Sequence, residues 1–181
     1  SIVDFRSRDI AAGGQGAPLV PAFHAATLSG TNEHRVIVNI GGIANLTDLA
    51  PGGRVTGFDC GPGNLLLDAW AAQHLDKPID ENGTWAASVK ALPDLLKKML
   101  AHEFLAAQPP KSAGREQFNM DWLQGKLDGD ESPEDIQATL LELTACGIAD
   151  AAHKHCKGFD ALYACGGGVH NGALMQRLGA L

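Results

Sequence analysis

Asp59 ends a short apolar run at Phe58-Asp-Cys-Gly-Pro-Gly-Asn64, where a strand gives way to a glycine loop. A carboxylate at such a junction points into a loop-lined cleft, and desolvation there tunes it toward general-base duty near neutral pH. An Asx turn that stabilises the loop is the other use of the same residue. The turn carries Gly61, Gly63 and Asn64, and it has two counterparts in the chain. Asn39-Ile-Gly-Gly-Ile-Ala-Asn45 holds Gly41, Gly42 and Asn45, and Cys165-Gly-Gly-Gly-Val-His-Asn171 holds Gly166, Gly167 and Gly168. Glycine lets backbone N–H groups come close to a phosphate, and helices starting after Gly63 and Gly168 add positive dipole ends. One such turn is structural more often than not; three together suit an anion such as phosphate as well as they suit a purely structural role. Neither the Walker pattern GxxxxGK[ST] nor the Rossmann GxGxxG occurs, so a nucleotide site would be of another kind.

Charged clusters offer further chemistry. In Asp4-Phe-Arg-Ser-Arg-Asp9 the planar forks of Arg6 and Arg8 could clamp a carboxylate or orient a phosphoryl oxygen, or form a surface network with the two acids. Lys111, Arg115 and Glu116 could hold an anionic ligand, although their segment, Lys111 to Asn119, reads first as a solvated loop. The seven histidines show no HxxxH or HExxH spacing, and no serine lies on a GxSxG elbow. The expectation is no metal site and no Ser/His/Asp triad.

The elements that would position these residues follow from periodicity and punctuation. Ser1 to Phe5 reads as a short buried strand, Arg6 to Ala12 as a helix, and Pro18 and Pro21 frame another helix start. Arg35 to Ile40, Ile43 to Leu49 and Arg54 to Asp59 are apolar runs joined by glycine turns, which predicts an antiparallel meander. Asn64 to Leu75 is a helix with Asn64 as its cap, and Glu81 to Lys90 and Pro93 to His102 are two helices broken at Pro93. A short helix is expected around Met120 to Leu127. Ser132-Pro-Glu-Asp135 predicts a capping box for a helix running to about His155. Phe159 to Cys165 reads as a buried strand, and Asn171 caps a last helix.

Composition bounds the rest. The chain has 181 residues, 45% of them hydrophobic, enough for a core without disulfide or metal staples. Fourteen Lys+Arg against 21 Asp+Glu give a net charge of −7, which argues against nucleic acid as a partner. No stretch approaches the ~20 apolar residues of a membrane span. The four cysteines are widely spaced and read as reduced thiols, and with no signal-peptide pattern at Ser1 a cytoplasmic setting is the default. Both ends fall in patterns that read as cut elements.

In order along the chain, DFRSRDIAAGGQGAPLVPAFH, VNIGGIANLT, GFDCGPGNLLLDAW, PKSAGREQFN, DIQATLLELTA and CGGGVHNGALMQRL resemble the anhydro-N-acetylmuramic acid kinase family. The resemblance covers nearly all of the sequence. It implies an α/β fold of the ribonuclease H-like actin/Hsp70/sugar-kinase type, a mixed sheet with flanking helices, in which ATP and sugar meet between two lobes. Residues 1–32 would be the end of the first lobe and the crossover, and residues 33–181 the second lobe. It also implies a reaction in which 1,6-anhydro-N-acetylmuramic acid, ATP and water give N-acetylmuramic acid 6-phosphate and ADP, in cell-wall recycling. By the family's motifs Asp59 would be the general base and Arg8 the arginine that assists it. Gly41, Gly42 and Asn45 would form a phosphate loop, Gly166, Gly167 and Gly168 the adenosine-side turn, and Gly61, Gly63 and Asn64 are expected to bind the cofactor with them. Mg²⁺ would be held mainly by phosphates and water, and a homodimer is implied.

The family's opening GTSxDG-type phosphate loop does not occur in this sequence, nor does the C-terminal segment that completes the family's sugar and adenosine sites. The sequence therefore reads as an internal portion of the enzyme, with part of the first lobe and a second lobe truncated at its C-terminus, and little or no kinase activity is expected of it alone. Two other readings stand beside the kinase: a phosphatase or acid-anhydride hydrolase of the same superfold, and a non-catalytic module binding a nucleotide or muropeptide. ADP release that depends on the anhydro sugar separates the first from both.

Overall fold

The computed structural model describes residues 4–14, 16–30 and 32–181. The expected strand over residues 1–5 falls partly outside them; the chain is already helical at Phe5. Asp4, in the left-handed region, caps α1 (Phe5–Ala11) by accepting from the Ser7 N–H, and α2 (Pro21–Leu28) starts at Pro21. Three strands then form the meander: β1 (Arg35–Ile40), β2 (Ile43–Leu49) and β3 (Thr56–Pro62). After the helices α3 (Leu65–Leu75), α4 (Pro93–Leu100), α5 (Glu103–Ala106), α6 (Met120–Gln124) and α7 (Pro133–His155), β4 (Ala161–Cys165) returns parallel to β1. The sheet order is β3-β2-β1-β4, and α8 (Gly172–Leu178) follows. The result is an α/β architecture with a four-stranded mixed sheet and flanking helices.

The two faces of this sheet differ because side chains alternate along each strand. Val36, Val38, Ile40, Ala44, Leu46, Phe58 and Cys60 all belong to the core cluster built around α7. Ile136, Leu140, Leu143 and Ile148 of α7 join them, each fully buried side chain contributing about 1.5–3 kcal/mol. The intervening residues Asn39, Asn45, Thr47 and Asp59 lie on the opposite face, where the register pairs Asn39 with Asn45 and Asn45 with Asp59. There α2 packs on the sheet: buried His24 lies 2.9 Å through Nδ1 from the Thr47 hydroxyl, and Pro21 sits over Gly57.

The remaining helices test the capping rules. Ser132 caps α7 by accepting from the Asp135 N–H, and its hydroxyl donates to the Asp135 carboxylate, which thereby faces the cap side chain and not its N–H. Asn171 caps α8 through the Leu174 N–H. Asn64 does not cap α3: its Nδ2 donates instead to the Ile40 carbonyl. The helix expected over 81–90 is replaced by two short 3₁₀ turns, Glu81–Gly83 and Ala86–Ser88. Asp80 accepts from the Trp85 and Ala86 N–H groups, and these local bonds compete with a continuous helix. The strand expected to be buried, β4, is the edge of the sheet among the described residues, and Tyr163 is exposed. All four cysteines are free, and no described helix is long and apolar enough to cross a membrane.

Candidate active site

Asp59 points from β3 onto the polar face of the sheet, opposite Asn45, at a β-bulge between Ala44 and Asn45. A bulge redirects a side chain at a strand end, a common device beside reaction sites. Only 5% of Asp59 is exposed. Its backbone N–H donates to the Lys111 carbonyl, and its Oδ2 accepts from the Ser112 hydroxyl at 3.0 Å and the Ala113 N–H at 2.8 Å. Oδ1 has no hydrogen-bond partner among the described residues. Burial raises the pKa of Asp59, and the Ala113 and Ser112 donors and the charges of Arg6 and Lys111 offset only part of that rise. This is a carboxylate with one oxygen fixed and the other unengaged, desolvated enough to hold a proton more readily than an ordinary aspartate.

The segment that holds it is not a solvated loop. Lys111 is 7% exposed, its Nζ donates to the Phe104 and Leu105 carbonyls, and it lies 4.7 Å from the centre of the Phe104 ring. Burial lowers the pKa of this lysine. Anchored there, the chain presents Ser112 and Ala113 to Asp59. Farther on, the Asn119 amide donates to the Arg115 and Glu116 carbonyls while its Oδ1 accepts from the Trp122 N–H to cap α6.

Asp59, Ser112, Asn45, Arg6 and Arg115 share a cavity of about 520 Å³, walled on one side by residues 16–19. Asp9 fixes that wall by accepting from the Gly16 N–H at 2.8 Å. The acids of the DFRSRD segment are thus spent on backbone groups, Asp4 on Ser7 and Asp9 on Gly16, and not on its arginines. Arg6 reaches the cavity; Arg8, two residues on, is on the exposed surface of α1 and does not line it. Asn45, expected in the phosphate loop, lines the cavity too, and its Oδ1 is buried without a partner among the described residues.

The three glycine turns meet at one corner of the sheet. The N–H groups of Gly63, Asn64 and Leu65 donate to the carbonyls of Gly41 and Gly42, and the Thr144 hydroxyl donates to the Gly63 carbonyl. A Cβ on Gly63 would strike the Gly41 carbonyl oxygen, and one on Gly166, whose φ is +87°, would strike Asn39 and Ile40. Gly61, Gly63 and Gly168 are buried, so these three serve close packing. Gly41, Gly42, Gly166 and Gly167 remain at least partly open, and the N–H groups of Gly41 and Gly42 make no backbone hydrogen bond outside the strand ladder among the described residues. Among the described residues, no cluster of three or more His, Cys, Asp and Glu could hold a metal.

The sequence model of the anhydro-N-acetylmuramic acid kinase family matches residues 1–181. The chain belongs to that family. It is similar to the anhydro-N-acetylmuramic acid kinases of Nitrosospira multiformis, 58% identical over 98% of this chain and 48% of the relative, and of Thiobacillus denitrificans, 55% identical over 99% and 49%. That of Chromohalobacter salexigens is 50% identical over 97% and 49%. The chain spans about half the length of the curated relatives it matches. Of the residues this family resemblance marks, the fold gathers Asp59 and Asn45 into one cavity, leaves Arg8 outside its lining, and collects the glycines at the neighbouring corner. Ser112 and Ala113 lie in the PKSAGREQFN motif that carries part of the resemblance, but the sequence assigns them no role there. Their contact with Asp59 depends on the burial of Lys111, a residue type that usually marks a surface.

Proposed function

We propose that this chain is part of an ATP-dependent kinase of cell-wall recycling in the cytoplasm, acting on 1,6-anhydro-N-acetylmuramic acid. The enzyme hydrolytically opens the 1,6-anhydro ring and phosphorylates O6, giving N-acetylmuramic acid 6-phosphate. The observation that carries this reading is the carboxylate of Asp59, which has Oδ2 held by Ser112 and Ala113 and Oδ1 unengaged in a polar cavity.

In this reading Asp59 is the general base. Its Oδ1 takes a proton from water, the water oxygen bonds to the anomeric carbon, and the C1–O6 bond breaks with its electron pair on O6. O6 then bonds to the γ-phosphorus of ATP as the bond from that phosphorus to the β-phosphate oxygen breaks and ADP leaves; Mg²⁺ would be held mainly by the nucleotide's phosphates and water. The sugar side resembles inverting glycoside hydrolysis, with phosphoryl transfer replacing the proton that a general acid would give the leaving oxygen. The donors on Oδ2 hold the carboxylate's orientation, and the raised pKa makes it a stronger base once ionised. By the resemblance Arg8 assists this step, with Arg6 supplying the positive charge that already acts on Asp59. Gly41, Gly42, Gly166 and Gly167 are the open glycines suited to the nucleotide's phosphates, and Asn45 stands between that corner and Asp59.

The fold is proposed to be of the actin/Hsp70/sugar-kinase type, with residues 1–32 ending a first lobe and residues 33–181 forming much of the second. The antiparallel meander followed by a parallel strand beside β1 supports it. A homodimer is proposed on the family resemblance. The test is ADP release by the full-length enzyme with and without 1,6-anhydro-N-acetylmuramic acid. Release that depends on the sugar is expected; release indifferent to it would contradict the reading.

A further inference from the structure

We propose that Arg115 receives the carboxylate of the substrate's lactyl group and so selects a sugar acid over its neutral analogue. This rests on the kinase reading above. Two guanidinium groups, Arg6 and Arg115, and one carboxylate, Asp59, line the cavity, so its lining carries one more cation than anion when Asp59 is ionised, while the Asp9 carboxylate behind the wall is engaged with the Gly16 N–H. Neither arginine makes a salt bridge among the described residues. Their positions divide the work. Arg6 acts on the charge of Asp59, the reacting end. Arg115 is exposed at the rim, inside the turn closed by the Gln117 N–H on the Gly114 carbonyl.

The surrounding chain prepares that rim position. Lys111 is anchored in the core, Ala113 is bonded to Asp59, and the Arg115 carbonyl accepts from Asn119, so the backbone carrying the guanidinium is held on both sides. A planar fork on a fixed turn suits bidentate binding of a carboxylate or phosphate at little ordering cost. The carboxylate is favoured because the open glycines that suit phosphates, Gly41, Gly42, Gly166 and Gly167, do not line this cavity. A muramic acid derivative differs from the corresponding glucosamine derivative by its lactyl ether, and the acid of that ether is the anion the cavity lacks.

The test compares kcat/KM of the full-length enzyme for 1,6-anhydro-N-acetylmuramic acid and for 1,6-anhydro-N-acetylglucosamine, with wild type, Arg115→Gln and Arg115→Lys. Wild type should prefer the acid, and Arg115→Gln should reduce that preference by about ten- to a hundredfold, the worth of a charge-assisted hydrogen bond. Arg115→Lys should restore part of it, and the KM for ATP should hold in all three. Equal losses on both sugars, or an unchanged preference, would overturn the assignment and leave the kinase reading intact. A rise in the KM for ATP alone would move Arg115 to the phosphates and also overturn it. Absence of sugar-dependent ADP release from wild type would defeat the kinase reading itself.

Discussion

Asp59 and Gly63 lie four residues apart on one strand-to-helix junction, yet their surroundings are opposite. At Asp59 the polar face of the sheet opens into a cavity, and one carboxylate oxygen has no protein partner among the described residues. At Gly63 the backbone is locked: its N–H is bonded to Gly42, its carbonyl to Thr144, and the space of a side chain is filled by Gly41. The difference shows how one motif can divide its labour. The glycines let two turns touch, and that contact fixes the end of β3 from which Asp59 projects. A glycine-rich turn is therefore not a phosphate cradle by composition; what decides is whether its N–H groups are already spent.

The sharpest way to break this comparison is to remove the base. Asp59→Asn in the full-length enzyme should lower sugar-dependent ADP release by about 10²–10⁴-fold, with ATP affinity by titration nearly unchanged. Parallel loss of ATP binding and rate would make Asp59 a structural residue like Gly63. Linkage gives the same variant a second readout. A folded-state pKa raised above the unfolded value makes Asp59's contribution most favourable at acid pH and progressively lost as pH rises from the ordinary carboxylate range through the raised value. Denaturant titrations of Asp59→Asn should therefore show less stability loss than wild type across that window.

The locked corner is tested by a pair of glycines. Gly63→Ala should cost about 1–3 kcal/mol of stability through forced overpacking. Gly42→Ala, whose new methyl would meet Leu65 no closer than 3.8 Å, should stay within about 0.5 kcal/mol. If Gly42 serves the nucleotide, its variant should weaken ATP binding instead. A smaller effect is expected from Ser112→Ala. Loss of this donor to Oδ2 should raise the Asp59 pKa further, shifting the acid limb of kcat/KM to higher pH and lowering the rate about tenfold below that limb. An unmoved limb would remove Ser112 from the site.

Half of the comparison was legible beforehand: Asp59 reads as a cleft carboxylate, whereas Gly63 reads with the cofactor-binding glycines and is packed instead. The meander followed from two glycine turns; the split of its strands into a core face, with Val38, Ala44 and Phe58, and a polar face, with Asn39, Asn45 and Asp59, came only with the fold. What escaped was where three polar side chains find their partners. Lys111 looked like a surface residue, and only the carbonyls of α5 explain why it is buried. Asn64 looked like a cap, but the Ile40 carbonyl is its partner across the corner. Asp80 replaces an apparent helix by binding two N–H groups of its own segment. Asn64 found its partner on another element and Lys111 in α5, whereas Asp80 found its partners within its own segment.

The central claim is that Asp59 directs water at carbon. Turnover of 1,6-anhydro-N-acetylmuramic acid and ATP by the full-length enzyme in H₂¹⁸O tests it most directly. The account predicts one ¹⁸O at C1 of the phosphorylated sugar, assayed before the anomeric hydroxyl exchanges with solvent, and none in the phosphoryl group. Label in phosphate, with none at C1, would place the attack on phosphorus and contradict it.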